Sequence, residues 1–472
     1  MAQQCSMNFI DLFCGIGAFS YTLSTMGHKC VGACDNNAKV IEAYLKNFPS
    51  HGIVSCEDVR DFIPKTSPHD ILCAGFPCQP FSKSGKQLGF ADKMRGNLVY
   101  SVIQIAEMHL PEYIILENVA NLAKHNSGIT WLFIKEELHR LGYSVRSTQH
   151  VSSGGSGMLS PHNYGFPQKR ERFFAICRRG YLPSDPFPPE TGVVDKSLEN
   201  ILIDITLLSQ QDQAFSLLSA HQTQAVALWQ QFIDWLPKKG DDLPSFPLWA
   251  EEFGATYPFQ FGTPYSALLR DEITFSSSTD AFNTSLEEAL VNLPPYARDK
   301  RLMFPRWKRR FLQQNRDWYD NHRQYIPDTW LDALRKLPHT YRKLEWNVKG
   351  GSSSILDHCI QFRPSGVRVS CVDYVPSVVS MNATQLPVYG PQNRRLTLRE
   401  VKRCFGFPDD FVLPSPNTEA VKALGNTIHT GLLKLMFRRL FSFPELPNHV
   451  THSSFGSQLN LLDNRAIVAK QA

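Results

Sequence analysis

Short apolar runs alternate with helical patterns along residues 1–180, and this alternation constrains the fold more than any other feature of the chain. The apolar runs, which predict buried strands, are MNFIDLFCG, KCVGACD, DILCAG, YIILEN and RFFAICRR. Helical periodicity separates several of them, as in AFSYTLSTMG, AKVIEAYLKNF and LVYSVIQIAEMHL. Strands and helices that alternate in this way form a mainly parallel sheet with helices on both faces. The sequence therefore predicts an α/β fold.

Polar and glycine-rich residues follow the predicted strands. The stretches DLFCGIG, CDNN, GFPCQ and LENV each stand where an apolar run ends. In sheets of this kind, ligands bind beyond the carboxyl ends of the strands. We therefore expect these four stretches to meet in one active site.

The composition is that of an ordinary globular protein. The chain has 472 residues, enough for two or three domains, and its formal net charge of +5 permits an anionic partner without requiring one. It contains no apolar run of about 18 residues, and its N-terminus has no signal-peptide pattern. Its 11 cysteines, an odd number without framework spacing, favour a reduced, cytosolic setting. We expect no metal site and no membrane association.

The strand–helix rhythm stops after about Tyr181, and we interpret residues 181–414 as a second, smaller domain. Within it, residues 298–349 carry 14 Lys or Arg against 6 Asp or Glu, interleaved with aromatic residues. Such a stretch suits phosphate contacts, although a solvated helical surface is an equal alternative. Helical patterns return near residues 415–440, which we expect to complete the first domain, and residues 447–472 resemble a tail.

The turn after the first strand is a candidate cofactor site. Gly15 and Gly17 allow close backbone approach, but such turns also serve simply to pack a helix on a strand. Asp35 ends the second strand, where a carboxylate can bind a ribose diol. Asp58, at the expected end of the third strand, is placed to meet an adenine amino group.

Four residues are candidate catalytic residues. Cys78 lies just past a strand end beside a proline, and it is a nucleophile, a metal ligand or a packing residue. Glu117 ends an apolar strand, where a raised pKa would let it donate a proton, unless it is an ordinary surface residue. Arg170 and Arg172 alternate onto one face, where they could hold an anion bidentately or form a solvated charge run.

Six stretches, in this order, closely resemble motifs of the bacterial type of DNA cytosine-5 methyltransferase. They are DLFCGIGAFS, GFPCQPFS, ENV, NYGFPQKRERFF, RRLTLREVKRCFGFPDDF and ALGNTIHTGLL. The resemblance covers most of residues 1–180 and 394–435. It implies a class I S-adenosylmethionine-dependent methyltransferase domain, Rossmann-like in its fold, completed by a target-recognition domain.

The resemblance also implies roles for individual residues. Cys78 would be the nucleophile that attacks a flipped-out cytosine, Glu117 the acid at ring N3, and Arg172 the residue that holds both, with Arg170 close by. The residues implied to line the S-adenosylmethionine site are Phe13, Gly15, Gly17, Asp35, Asn36, Asp58, Val59, Pro77, Leu98 and Asn426. Those implied to contact DNA are Gln79, Ser82, Arg95 and Gly96.

Two departures from the family pattern concern the cofactor. Where the family usually has Glu followed by a large apolar residue, this chain has Asp35 and Asn36, and the lost apolar wall would weaken cofactor binding. The stretch GNTIHTG also replaces the more usual Gly-Asn-Ala/Ser-Val.

The implied activity is sequence-specific methylation of double-stranded DNA in the bacterial cytosol. We expect a monomer that protects DNA beside a separately encoded restriction endonuclease. A tRNA methyltransferase of the same family and a catalytically silent DNA-binding protein are the alternatives. The large variable region favours DNA over tRNA, and the presence of Cys78, Glu117, Arg172 and Asn426 favours activity.

Overall fold

A computed structural model describes most of the chain. The described residues are 6–77, 98–148, 158–182, 185–190, 198–270, 290–291, 293–348, 350–378 and 383–442. Cys78, Gln79, Ser82, Arg95 and Gly96 lie outside the described residues, as does the expected tail.

The strands are short and fall into three sheets. They are β1 (Asn8–Leu12), β2 (Lys29–Asp35), β3 (Ile53–Cys56), β4 (Ile71–Gly75), β5 (Tyr113–Val119), β6 (Tyr143–Ser147), β7 (Gln168–Lys169), β8 (Arg172–Arg179), β9 (Leu248–Trp249), β10 (Lys343–Asn347), β11 (Cys359–Arg363), β12 (Gly366–Ser370), β13 (Val375–Pro376), β14 (Val388–Tyr389) and β15 (Arg394–Arg395). A seven-stranded sheet has the order β3-β2-β1-β4-β5-β8-β6, and a six-stranded sheet has the order β15-β14-β11-β12-β10-β9. The third sheet pairs β13 with β7.

The helices lie on both faces of the seven-stranded sheet and around the six-stranded one. They are α1 (Ala18–Thr25), α2 (Ala38–Asn47), α3 (Val59–Phe62), α4 (Leu98–His109), α5 (Ile129–Arg140), α6 (Gln210–Ser216), α7 (Ala220–Trp235), α8 (Pro264–Leu269), α9 (Arg306–His322), α10 (Asp328–Arg335), α11 (Leu398–Cys404), α12 (Asn417–Asn426) and α13 (Thr430–Phe441). Within the described part of the chain, no helix combines the length and the apolar character needed to cross a membrane.

The seven-stranded sheet has an apolar core on each face. Apolar side chains of α1, α2 and α13 pack on one face, and those of α3, α4 and α5 pack on the other. Strands β1 to β5 pair in parallel, whereas β8 runs antiparallel to both β5 and β6. Because both faces are covered, β4 and β5 are almost wholly buried, as their continuous apolar sequences require. The predicted α/β fold is therefore confirmed.

One strand of this sheet was not predicted. β6 has the sequence YSVRS, in which Tyr143, Val145 and Ser147 are buried while Arg146 is exposed. The strand lies at the sheet edge beside β8, so only one of its sides faces the core. Its polar residues interrupt the kind of apolar run that identified β1, β2, β4, β5 and β8.

The register of the sheet brings several strand ends together. Leu12 pairs with Cys34 on one side and with Ala74 on the other, and Gly75 pairs with Glu117. The ends of β1, β2, β4 and β5 therefore share one edge. Since β8 is antiparallel to β5, its first residue Arg172 pairs with Val119 at that same edge.

The six-stranded sheet has its own core. This core contains several aromatic residues of the basic stretch 298–349. Trp318, Tyr319, Trp330 and Trp346 are all buried, packed with residues of α7 and of β10 to β12. Among the aromatic side chains of residues 298–349, Trp307 differs in being 64% exposed. These four aromatic residues therefore serve packing, and the phosphate contacts that the basic residues of the stretch suit stay a prediction.

Residues of the two predicted domains also share one core. Val375, Leu396 and residues of α11 belong to the same apolar cluster as α1, α2 and α13. The predicted boundaries at residues 180 and 414 stay a prediction.

Candidate active site

The ends of β1, β2, β4 and β5 open into a single cavity of about 780 Å³. Its lining includes nine of the residues expected at the cofactor site, namely Phe13, Gly15, Asp35, Asn36, Asp58, Val59, Pro77, Leu98 and Asn426. Glu117, Arg170 and Arg172 line the same cavity. The structure thus brings together the described residues that the sequence assigned to chemistry and to the cofactor, apart from Gly17.

The two glycines in the turn between β1 and α1 have different roles. Gly15 has φ +54°, and a Cβ added there would meet no atom within 4 Å. Gly17 has φ +89°, and its Cβ would lie 2.5 Å from Cε2 of Phe48 and 2.9 Å from Cε2 of Tyr44. Gly15 therefore leaves room for a ligand against the backbone. Gly17 instead allows α1 to pack against α2, and it is not among the residues that line the cavity.

Asp35 connects this turn to the end of β2. Its Oδ2 accepts a hydrogen bond from the Gly15 amide at 3.1 Å, and its Oδ1 accepts one from the Asn37 amide at 2.9 Å. Burial raises the pKa of the Asp35 carboxyl, while the backbone hydrogen bonds oppose that rise. The carboxylate is held in place by backbone donors and still faces the cavity, so it can accept hydrogen bonds from a diol.

Asp58 lies at the start of α3. It caps that helix, accepting from the Arg60 amide at 2.9 Å, and it pairs with the Arg60 guanidinium at 2.7 Å. The hydrogen bond from the Arg60 side chain lowers the pKa of Asp58 to about 2. Asp58 is therefore an ionised carboxylate at the cavity wall, and it can accept a hydrogen bond from an amino group.

Apolar side chains form much of the remaining wall. Val59 and Leu98 were expected there, whereas Val40, Phe76 and Ile428 were not singled out from the sequence. Asn36, which occupies the position where the family has an apolar residue, is exposed. Helix periodicity marked Val40 as a buried residue, but nothing local marked it as part of a ligand site.

Glu117 and Arg172 form a buried ion pair at the cavity. Arg172 Nε lies 3.0 Å from Glu117 Oε1, and their side chains are 15% and 9% exposed. Burial raises the pKa of the Glu117 carboxyl, and the charges of Arg172 and Arg170 oppose that rise. Glu117 Oε2 lies 3.4 Å from the position that a Cβ on Gly75 would occupy, so the strand next to it leaves the carboxyl room. A carboxyl whose pKa is raised by burial is a better proton donor to a ring nitrogen than an exposed one.

Arg170 lies next to this pair but has other partners. Its guanidinium donates to the carbonyls of Val378 at 2.9 Å and Gly425 at 2.6 Å, and to Oγ of Ser377 at 3.3 Å. It is 2% exposed and stacks over the Phe405 ring, 5.3 Å from the ring centroid. Arg170 therefore joins the β7–β8 segment to the end of α12 and to the loop after β13.

Asn118 is a positioning residue that the sequence analysis did not identify. Its Nδ2 donates to the Phe76 carbonyl at 2.8 Å, and its Oδ1 accepts from the Val119 amide at 2.9 Å. It thereby ties the end of β5 to the backbone that leaves β4, two residues before Cys78. Its position next to Glu117 in the ENV stretch is the one sequence feature that could have identified it.

Comparisons with known proteins identify the family to which this chain is similar. A family model described as C-5 cytosine-specific DNA methylase matches residues 7–235 and 295–442. The type II methyltransferase M.AluI of Cellulosimicrobium cellulans is 30% identical over 492 residues, covering 91% of this chain and 91% of that protein. M.HhaI of Haemophilus parahaemolyticus is 36% identical over 228 residues, covering 47% of this chain and 66% of its own. A crystallised DNMT2 mutant of Spodoptera frugiperda aligns with a TM-score of 0.46 at 15% identity, covering 92% of this chain and 100% of that one.

The family match includes every strand that contributes to the cavity and both helices at the C-terminal end of the described chain. The seven-stranded sheet is the Rossmann-like fold of class I methyltransferases that the motifs implied. The chain therefore belongs to the C-5 cytosine-specific DNA methylase family and is a DNA cytosine-5 methyltransferase, which uses S-adenosylmethionine as methyl donor.

Proposed function

We propose that this enzyme transfers a methyl group to carbon 5 of a flipped-out cytosine through a covalent adduct between Cys78 and carbon 6, with Glu117 as the acid. The observation that carries the proposal is that the buried Glu117–Arg172 pair opens onto the same cavity as Asp35 and Gly15. A proton donor for the cytosine ring and a binding site for the methyl donor are thus adjacent.

The residues of the cavity fit S-adenosylmethionine. The open space beside Gly15 admits a ligand against the backbone, and the Asp35 carboxylate can accept from the ribose hydroxyls. Asp58 can accept from the adenine amino group, and Val59 and Leu98 offer apolar surface in the same cavity. When bound, S-adenosylmethionine supplies an electrophilic methyl group on its sulfonium.

Carbon 5 of cytosine is a weak nucleophile, and the side chains proposed here would activate it. The Cys78 thiolate, which follows Pro77 in the GFPCQPFS motif, would add to carbon 6 of the ring. Glu117 would donate its proton to N3, so that the addition does not leave a negative charge on the ring. Arg172 would keep the Glu117 carboxyl in place. After methylation, loss of the proton on carbon 5 to solvent and breakage of the Cys78–carbon 6 bond would release the thiolate. Return of the N3 proton to Glu117 would then restore the neutral aromatic ring and the acid.

We further propose that the methylation protects DNA in a restriction–modification system, with the enzyme acting as a monomer in the bacterial cytosol. The support is that the curated relatives M.AluI and M.HhaI are type II methyltransferases. A cognate endonuclease encoded nearby would then share the recognition sequence without having to bind this chain.

The covalent step can be trapped with a fluorinated substrate. The full chain is incubated with S-adenosylmethionine and duplex DNA that carries 5-fluorocytosine, and the products are separated on a denaturing gel. We expect a covalent complex, because fluorine on carbon 5 cannot leave as a proton does and the Cys78 bond then persists. Cys78→Ala should abolish the complex, while Cys56→Ala, which removes an exposed thiol, should not.

Two results would count against the proposal. A complex that survives Cys78→Ala would assign the nucleophile to another residue. Transfer of radiolabelled methyl to tRNA with none to DNA of mixed sequence would assign the enzyme to the tRNA branch.

A further inference from the structure

His429 stands in the stretch GNTIHTG, which departs from the family pattern, and the proposed chemistry does not use it. It directly follows Asn426, Thr427 and Ile428, which line the cavity and which we call the 426–428 wall. His429 is 3% exposed and caps the start of α13, where its Nδ1 accepts a hydrogen bond from the Leu432 amide at 3.2 Å. The cap fixes His429 directly behind the wall.

The ring of His429 packs against Phe166, which lies in the segment that leads to Arg170 and Arg172. The two ring centroids are 4.4 Å apart, and the ring planes are inclined by 40°. The Phe166 carbonyl accepts from the Gln168 amide at 2.8 Å, which ties Phe166 to the first residue of β7. A contact with Phe166 is therefore a contact with the short segment that carries both arginines.

Two glycines allow the backbone to approach this ring pair closely. A Cβ on Gly431 would lie 2.7 Å from Cζ of Phe166 and 2.9 Å from Cε1 of His429. A Cβ on Gly406 would lie 3.4 Å from the same His429 atom and 2.6 Å from Thr430 Oγ1. The backbone at both glycines therefore packs directly against the ring pair and leaves it little room to move.

Arg170 forms a second link between the same two segments. Its guanidinium donates to the Gly425 carbonyl at 2.6 Å and lies over the Phe405 ring. The Phe405 carbonyl in turn accepts from the Thr430 amide at 2.9 Å. The 426–428 wall is thus held at both ends, by Arg170 through the residue before it and by His429 just after it.

The 426–428 wall also reaches the proposed acid. A Cβ on Gly75 would lie 3.4 Å from Glu117 Oε2 and 3.9 Å from Cδ1 of Ile428, so the carboxyl and the last side chain of the wall flank the same point of β4. Glu117 in turn pairs with Arg172 Nε at 3.0 Å. The position of the wall therefore affects how a ligand in the cavity lies relative to Glu117.

We infer that His429 is a positioning residue for methyl transfer, because its ring, packed on Phe166, holds the 426–428 wall against the segment that carries Arg172. The cofactor and the acid then keep a fixed relative position. The inference rests on the proposed function in taking Glu117 as the acid. A misplacement of about 1 Å can cost about 10²-fold in rate. A loose wall would lower kcat more than cofactor affinity, since Arg170 would still hold Gly425.

Two substitutions separate the ring of His429 from its cap. His429→Asn keeps an oxygen acceptor for α13 but removes the ring, whereas His429→Phe keeps a ring but removes the acceptor. We expect His429→Asn to lower kcat for methyl transfer about tenfold, with the Kd for S-adenosylmethionine, measured by calorimetry, within about threefold of the wild-type value. His429→Phe should keep the wild-type kcat, and its Tm should fall because the cap is lost. All rates are measured at a temperature where thermal melts show every variant folded.

The matched control is His28→Asn, at the opposite end of α13. His28 is 6% exposed, its Nδ1 accepts from the Met7 amide at 3.2 Å, and its ring centroid lies 5.1 Å from that of Phe441. It precedes β2, whose other end opens into the cavity. This variant loses a buried histidine ring packed on the same helix, so its Tm should fall without a change in kcat.

A double-mutant cycle with Phe166→Leu tests whether the two rings act together. Phe166→Leu should lower kcat about as much as His429→Asn, and the variant with both substitutions should lose no more than either alone, because one contact is lost only once. Unchanged kcat in His429→Asn, or losses that multiply in the double variant, would overturn the inference. So would an equal loss of kcat in His429→Phe, because the cap would then be the cause.

The proposed function is tested separately by trapping the wild type on 5-fluorocytosine DNA. If the complex forms and His429→Asn keeps the wild-type kcat, only the inference about His429 fails. If the wild type methylates tRNA and not DNA, the proposed function fails, and the same variants measured with tRNA still decide the role of His429.

Discussion

Replacing Arg170 by methionine would remove the side chain that joins three separate segments at the edge of the cavity. The guanidinium donates to the carbonyls of Val378 and Gly425 and lies over Phe405, with 2% of the residue exposed. Methionine retains the apolar contact with the ring but donates no hydrogen bond. The substitution therefore isolates the polar contribution of this one side chain.

The expected magnitude depends on the two carbonyls. A buried acceptor that loses its donor costs about 1–3 kcal/mol, so two carbonyls cost about 2–6 kcal/mol. Part of this is offset, because the charged guanidinium was itself buried and its Nε has no hydrogen-bond partner among the described residues. We expect a net loss of about 3 kcal/mol in the local stability of α12.

Amide hydrogen exchange followed by mass spectrometry measures this loss directly. Peptides that cover Asn417–Asn426 should exchange roughly 100-fold faster in Arg170→Met, because about 1.4 kcal/mol is a factor of ten in an opening equilibrium. Affinity for S-adenosylmethionine should fall as well, since Gly425 and Asn426 line the cavity.

Arg178→Met is the matched control. Arg178 is also buried, but it pairs at 3.0 Å with Glu112, whose side chain is 40% exposed and can turn to water instead. We expect this variant to bind S-adenosylmethionine normally and to leave exchange in α12 unchanged. If Arg170→Met likewise left the exchange of α12 unchanged, the two carbonyls would have found other donors and the reasoning would be refuted.

Three further predictions concern Glu117, the glycine turn after β1 and the buried carboxyl of Asp11. Glu117→Gln should lower kcat by about 10²- to 10⁴-fold in initial-rate assays, with cofactor affinity unchanged by calorimetry. Gly17→Ala should lower stability by about 3 kcal/mol in thermal melts, because a Cβ at φ +89° would crowd Phe48, whereas Gly15→Ala should mainly weaken cofactor binding. Burial raises the pKa of Asp11 to about 7 from its usual 3.8, so the stability from its protonated form, at most about 4 kcal/mol, is complete below about pH 4 and lost by about pH 7. Urea denaturation of Asp11→Asn should lack that loss.

Each of these three predictions has an outcome that would contradict it. Full activity in Glu117→Gln would exclude proton donation from the carboxyl. If the Gly17→Ala variant were as stable as the wild type but bound the cofactor poorly, Gly17 would belong to the cofactor site and not to the packing of α1 on α2. Parallel pH–stability curves for the wild type and Asp11→Asn would mean that Asp11 titrates near its ordinary value.

The sequence predicted the parts of the site that depend on strand ends. Apolar runs located β1, β2, β4 and β5, and parallel pairing requires their ends to share an edge, so Gly15, Asp35 and Glu117 could be placed together from the sequence alone. The edge strand β6 was missed because only alternate residues of it are buried.

Contacts between segments far apart in the chain could not be predicted in this way. Trp318, Trp330 and Trp346 stand among basic residues, as DNA-contacting aromatics would, yet each is packed into the core of the second sheet. Local sequence records which residues are apolar and which are charged. It does not record which of them the six-stranded sheet will cover, because α7 and β10 to β12 come from separate parts of the chain.

The two arginines of the PQKRER stretch show the same limit within one motif, and the difference between them bears on catalysis. Alternation placed Arg170 and Arg172 on one face, and both do line the cavity, but Arg172 pairs with Glu117 whereas Arg170 holds residues more than 200 positions away. A single short segment therefore holds the Glu117 carboxyl and binds the loop at Val378 and the end of α12. A shift of that loop changes the hydrogen bonds of Arg170, which stands two residues before the partner of Glu117 in the same segment.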